Sequence, residues 1–168
     1  MDKFWFQSAV FEGKIHSKVQ IRVESGIIHE INIGVEKSPD DLAFEDMAVP
    51  GFIDTHCHGG GGYFFSDQDP ENVESIAKFH LDNGTTTLFA SLVSEDVATL
   101  ESQVRRLGSL LPLSTITGIH LEGPWISTQF NGAHDPGSLR APDHSEVKKL
   151  FEASNGKLLS VTIAPELN

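Results

Sequence analysis

Pro50-Gly51-Phe52-Ile53-Asp54-Thr55-His56-Cys57-His58-Gly59, with three further glycines to Gly62, is the stretch that decides how this chain is read. In an extended strand side chains alternate between faces. Asp54, His56 and His58 therefore point one way, and Ile53, Thr55 and Cys57 the other. Two imidazoles two residues apart on one face can hold a single divalent cation, and neutral imidazole suits zinc or iron. Asp54, on the same face, can orient a ligand or bridge to backbone. The run Gly59–Gly62 lets the chain approach a ligand closely, at an entropic cost that needs a reason. The plain alternative is a pair of ordinary strand histidines followed by a floppy loop.

Outward from this stretch towards the C-terminus, strand alternates with helix. Ala48–His56 reads as a strand. Asn72–Asp82 carries Val73, Ile76, Ala77 and Phe79 at helical spacing and stops at Asn83-Gly84. Thr85–Ser91 is β-branched and apolar, hence a strand. Glu95–Leu107 is a helix with Val97, Leu100, Val104 and Leu107 on one stripe, ended by Gly108. Thr115–Leu121 is a third strand. A long loop runs through Pro142 to a helix from about Asp143 to Ala153, and Leu158–Ala164 is a fourth strand. Such alternation predicts a parallel sheet or barrel with right-handed crossovers. A (β/α)8 barrel takes roughly 250 residues, or about 30 per unit. Residues 48–168 number 121, room for about four units. The expectation is an α/β fold, a truncated TIM-like (β/α)8 barrel; a complete small open sheet is the alternative.

Towards the N-terminus the pattern is different. Lys3–Val10, Lys18–Val23 and Ile27–Ile33 read as short strands, and Val19, Ile21 and Val23 alternate with polar residues. Ser38–Asp46, acidic and polar, reads as a loop. Residues 1–48 form one region and 49–168 another. The first is small for independent folding, which becomes difficult near about 40 residues.

Composition bounds the function. The chain has 168 residues, 39% hydrophobic and 21% charged, with Lys plus Arg at 12, Asp plus Glu at 24 and a net charge of -12. That balance is globular, repels nucleic acid and favours a small-molecule substrate. An anionic substrate would need a local positive patch or a metal. The single Cys57 excludes an intrachain disulfide and fits a reducing compartment. The first residues lack a secretory pattern and no run approaches 18 apolar residues, so a cytoplasmic protein without membrane contact is expected.

Two further constellations carry chemistry. In Gly118-Ile119-His120-Leu121-Glu122-Gly123-Pro124-Trp125, parity puts Gly118, His120 and Glu122 on one face. Glu122 stands at the strand's C-terminal end, where barrel enzymes place catalytic groups and where a carboxylate can bind a metal. Gly123-Pro124 fixes the chain's exit, and Trp125 is placed as a pocket wall. Phe130-Asn131-Gly132-Ala133-His134-Asp135-Pro136 lies in the long loop, where substrate contacts gather. It reads equally as a turn built on Asp135-Pro136.

Together, PGFIDTHCHGGGG (50–62), GTTT (84–87), HLEGPWIS (120–127), NGAHDP (131–136) and TIAPE (162–166) resemble the N-acetylglucosamine-6-phosphate deacetylase family of the amidohydrolase superfamily. The first motif is shared with dihydroorotases and allantoinases; HLEGP followed by GxHxP is much narrower. The resemblance runs from about Val49 to the last residues. It implies hydrolysis of the acetamide of N-acetylglucosamine 6-phosphate to glucosamine 6-phosphate and acetate. It implies Glu122 as a metal ligand, with His56 and His58 as the pair that some members use for a second ion. One or two ions, Zn2+ or Fe2+, follow. Ala133 and His134 match a substrate-contacting pair. Residues before Pro50 correspond to strands of a small β-sandwich domain, and intact members form homodimers.

The family's two further metal-binding histidines, its basic phosphate-binding residue and its catalytic aspartate lie on later strands. His144 and Glu166 do not stand in for them, so no catalytic residue is assigned within the chain, and little activity is expected from residues 1–168 alone. His16, His29 and His80 match nothing in the family's site and read as surface or helix residues. Another metal-dependent amidohydrolase acting on a cyclic amide, or a non-catalytic remnant, is the alternative. A β-rich binding module is disfavoured by the ligand-type residues on shared strand faces.

Overall fold

The computed structural model describes residues 2–167; Met1 and Asn168, the outer limits of the two expected regions, lie outside the described residues. The chain falls into two units, one up to Pro50 and one from Gly51 onward.

In the first unit, β1 (Asp2–Phe11), β2 (Lys14–Glu24), β3 (Ile27–Ile33) and β4 (Leu42–Ala48) form a sheet in the order β3-β2-β1-β4. The first three are antiparallel neighbours, closed by two-residue turns at Glu12-Gly13 and Ser25-Gly26, and β4 runs parallel to β1. Trp5, Ala9 and Val19 are buried. Trp5 Nε1 donates to the Val35 carbonyl at 2.7 Å and Gln20 Nε2 to Asp41 Oδ1 at 2.8 Å, fastening the segment before β4. β4 corrects the sequence reading, which left Ser38–Asp46 as a loop. An edge strand needs only one partner and tolerates charge, so in the sequence the acidic Glu45-Asp46 masks the strand pattern of Leu42, Phe44 and Met47, which are exposed. Phe44 stacks on Phe6 with ring centroids 5.2 Å apart.

The second unit is α/β. After β5 (Phe52–Cys57) come the two-residue strands β6 (Gly59–Gly60) and β7 (Tyr63–Phe64). Then follow α1 (Pro70–Asp82), β8 (Thr85–Leu92), α2 (Val97–Leu110), β9 (Ile116–Glu122), α3 (His144–Ala153) and β10 (Leu158–Thr162). The continuous strand expected over Ala48–His56 is two strands, β4 ending and β5 beginning on either side of Pro50, which has no N–H to offer a ladder. The sheet order is β10-β9-β8-β5, all parallel. Strands that follow one another in space as in sequence, each joined by a helix, place their right-handed crossovers on one side. Val73 and Ile76 of α1, Leu100, Val104 and Leu107 of α2 and Leu150 of α3 share one buried cluster with Leu88, Ala90, Ile119 and Leu121 of the strands.

Each helix starts on an aspartate whose side chain accepts from first-turn N–H groups. Asp69 caps α1, Asp96 takes Ala98 N at 3.0 Å and Thr99 N at 3.1 Å, and Asp143 takes Glu146 N at 3.0 Å. Gly108 does not end α2, as its residue type suggested. The helix continues to Leu110, and Gly108 is buried against the backbone of Ser154. Between β9 and α3 the long segment includes two short 3-10 turns, Thr128–Phe130 and Pro136–Ser138.

Candidate metal centre

The C-terminal ends of the parallel strands are where loop backbone and strand-end side chains converge. His56 lies in β5 and His58 just beyond it. Asp54 Oδ1 accepts the N–H of His56 at 3.0 Å, so its carboxylate braces the backbone between the two. The two imidazoles meet through Nε2 at 3.1 Å. Glu122, the last residue of β9, places Oε2 3.4 Å from His56 Nε2 and 3.0 Å from His58 Nε2.

The three ligand atoms lie within 4.8 Å of one another. Donors about 2.0–2.2 Å from one ion stand about 3.0–3.5 Å apart. Two imidazole nitrogens and a carboxylate oxygen at these separations therefore fit a divalent metal ion. Burial pushes the Glu122 carboxyl up, but His56, His134 and His58 together outweigh it and hold it below the ordinary carboxylate value. Glu122 is thus ionised at neutral pH, as a ligand must be.

The turn after β9 aims that carboxylate. Gly123 has φ +79 and its missing Cβ leaves room for Ser94 Oγ, which donates to the Glu122 carbonyl at 3.1 Å. Any side chain there would be strained and would displace Ser94. Ser94 also donates its N–H to His134 Nδ1 at 3.4 Å. A ring whose Nδ1 accepts carries its proton on Nε2 when neutral. That Nε2 is 3.4 Å from Glu122 Oε2, and the side chain is 8% exposed. His134 is thus a buried N–H donor beside the cluster rather than another lone pair for a metal. Ala133 and His134 both line two cavities, of about 470 and 490 Å3, that Glu122 also lines.

The structure thus brings His56, His58, Glu122 and His134 to one point, with Ala133 beside them. Trp125 is elsewhere: it is buried in the core, donating to Glu146 Oε2 at 3.4 Å, and does not line the two cavities beside Glu122. Asp135 accepts the N–H of Gly137 at 3.1 Å, so Asp135-Pro136 does build a turn. Sequence reading missed three groups. Ser94 carries no signal before the fold is known. His120, visible by parity, is buried with Nδ1 2.9 Å from Ser91 Oγ and Nε2 2.9 Å from Thr162 Oγ1. His80, read as a surface or helix residue, does lie in α1, but its ring turns under the glycine run, with Nε2 3.0 Å from the Gly59 carbonyl and 3.3 Å from Cys57 Sγ. Burial raises the Cys57 thiol above its ordinary value, so it stays protonated.

Residues 47–167 match the Amidohydrolase family. Among curated relatives, the chain is 28% identical over 153 residues to an N-acetylgalactosamine-6-phosphate deacetylase of Escherichia coli O157:H7, covering 88% of this chain and 40% of the relative. The N-acetyl-D-glucosamine-6-phosphate deacetylase of Mycobacterium smegmatis superposes with a TM-score of 0.90 at 34% identity, over 99% of this chain and 48% of that one. A mutant of the same enzyme, solved with N-acetyl-D-glucosamine-6-phosphate, gives 0.88 at 34% identity, over 98% and 44%. The chain therefore spans less than half the length of each of these three.

Proposed function

The chain belongs to the amidohydrolase family, and from that premise we propose that its parallel sheet is the first arc of a (β/α)8 barrel, about four units of it. The enzyme it builds removes the acetyl group from an N-acetylhexosamine 6-phosphate, with N-acetylglucosamine 6-phosphate as substrate. The observation that carries this reading is the meeting of three imidazole Nε2 atoms around Glu122 Oε2, none farther than 3.4 Å, at the strand ends. The relatives' own substrates supply the acetylated sugar phosphate.

In this reading His56, His58 and Glu122 hold a divalent cation, zinc or iron. When bound, such a cation lowers the pKa of water far towards neutrality, to about 7, and polarises an amide carbonyl. His134, with Nε2–H fixed by Ser94, donates to a substrate oxygen, and Ala133 walls the same position. Glu122 balances charge at the centre. The reading assigns no general base to this chain; the proton-transfer carboxylate is the aspartate that the family places on a later strand. A cytoplasmic location belongs to the reading, supported by the free Cys57 and by the absence, among the described residues, of a helix long and apolar enough to cross a membrane.

The test is acetate release by the intact gene product from N-acetylglucosamine 6-phosphate, its 4-epimer and the same sugars without phosphate, with ring opening of dihydroorotate to N-carbamoylaspartate followed separately as the cyclic-amide reaction. Turnover that depends on the 6-phosphate is expected. Turnover of the cyclic amide alone would replace this reading with the cyclic-amidase one.

A further inference from the structure

The β5–β8 ladder is irregular beside the two histidines. Asp54 faces Leu88 and Cys57 faces Ala90, three steps on β5 against two on β8. A bulge of this kind re-aims side chains and leaves a backbone group without its ladder partner. Here the N–H of Cys57, the residue between His56 and His58, goes to the side chain of Ser91 instead, at 2.9 Å.

Ser91 is itself buried and continues into His120, whose Nδ1 is 2.9 Å from its Oγ. His120 Nε2 in turn lies 2.9 Å from Thr162 Oγ1. The line Cys57–Ser91–His120–Thr162 crosses β5, β8, β9 and β10, one residue from each strand. Whichever nitrogen of His120 carries its proton, both are engaged, which leaves none for a metal. Its ring also stands edge-on to His56, centroids 4.7 Å apart at 64°.

We infer that Ser91 and His120 are positioning residues for the metal centre: Ser91 holds the bulged backbone between the two histidines, and His120, anchored by Thr162, fixes the ring of His56. The inference rests on the reading of His56, His58 and Glu122 as ligands. Ligand-orienting partners of this kind typically cost 10–100-fold in metal affinity when removed.

The experiment is titration of the metal-free intact gene product with Zn2+, in competition with a chromophoric chelator, alongside its urea unfolding before metal is added. Ser91→Ala removes the acceptor of Cys57 N–H. His120→Phe keeps a ring against His56 but removes both nitrogens. Each is expected to unfold cooperatively and to bind Zn2+ about 10–100-fold more weakly, while Ser91→Thr, which keeps the hydroxyl, returns to the wild-type affinity. The double variant is expected to be no weaker than the weaker single one, because both changes break one line of contacts. If the wild-type chain takes no metal, the metal-centre reading itself fails. Wild-type affinity in both variants, or no rescue by Ser91→Thr, overturns the positioning role alone. Loss of cooperative unfolding in both before metal is added also overturns it, by placing the contacts in the fold.

Discussion

At Glu122 one carboxylate oxygen serves three imidazoles, so its charge and not its bulk is what the surrounding residues use. Glu122→Gln keeps the volume and removes that charge. The variant is expected to lose Zn2+ affinity by at least the 10–100-fold typical of an outer-sphere residue, read by chelator competition. His134→Gln is the opposite case, because Ser94 N–H already occupies Nδ1 and leaves Nε2 as a donor. Metal affinity close to wild type is expected there; a loss as large as that of Glu122→Gln would make His134 a ligand. The two side chains differ in the same way in how readable they are. The parity of β9 places Glu122 at a strand end from sequence alone. The role of His134 depends on a segment returning 40 positions to meet Ser94, and no local pattern encodes that return. His80 is the same kind of case, since only the folded chain brings it under Gly59.

Helices and strands were legible where hydrophobic period and punctuation agreed. β8 and β9 combine β-branched residues with burial on both faces, and the apolar stripes of α1 and α2 lie in the common core apart from Phe79 and Val97, which are exposed. The failures are informative because one residue type carries two meanings. Gly108 looks like a helix stop, and in an exposed helix Gly→Ala would stabilise by about 0.5–1 kcal/mol. Here an added Cβ would stand 2.5 Å from the Ser154 carbonyl oxygen. Gly108→Ala is therefore expected to destabilise, by about 1–3 kcal/mol as overpacking does, in urea unfolding; a stabilised variant would show that α2 and the Ser154 turn separate easily.

The cap of α2 gives a pH prediction. The hydroxyl of Thr99 and then its N–H, with Ala98 N–H, hold the Asp96 carboxyl below its ordinary value against slight desolvation. A carboxyl depressed in the folded state contributes stability above its unfolded pKa, about 3.9, and loses it as pH falls through the lower folded value. Asp96→Asn, which cannot titrate, should be less stable than wild type at neutral pH, and the gap should close in acid. A gap unchanged down to the most acidic point would remove the charge from the cap's role.

At the scale of the molecule, the sequence divided near Pro50 because the hydrophobic period changed there, and period is a property of neighbouring residues. What it could not show was β4, whose pairing with β1 spans most of the first unit and whose acidic residues read as loop. Each unit buries one of the chain's 2 tryptophans, Trp5 in the first and Trp125 in the second, so each has its own reporter. Metal held by His56, His58 and Glu122 binds only the folded second unit, because the three are 66 positions apart in sequence from His56 to Glu122 and meet only through the sheet. Binding to the folded form alone adds RT ln(1 + [L]/Kd), about 2.7 kcal/mol at a hundredfold excess over Kd. In a Trp5→Phe background the Trp125 fluorescence transition in urea is therefore expected to move to higher denaturant as Zn2+ is raised. The shift should grow with the logarithm of free metal and vanish in Glu122→Gln. A transition that stays fixed across the titration would mean that these residues, close as they are, do not close around an ion in this chain.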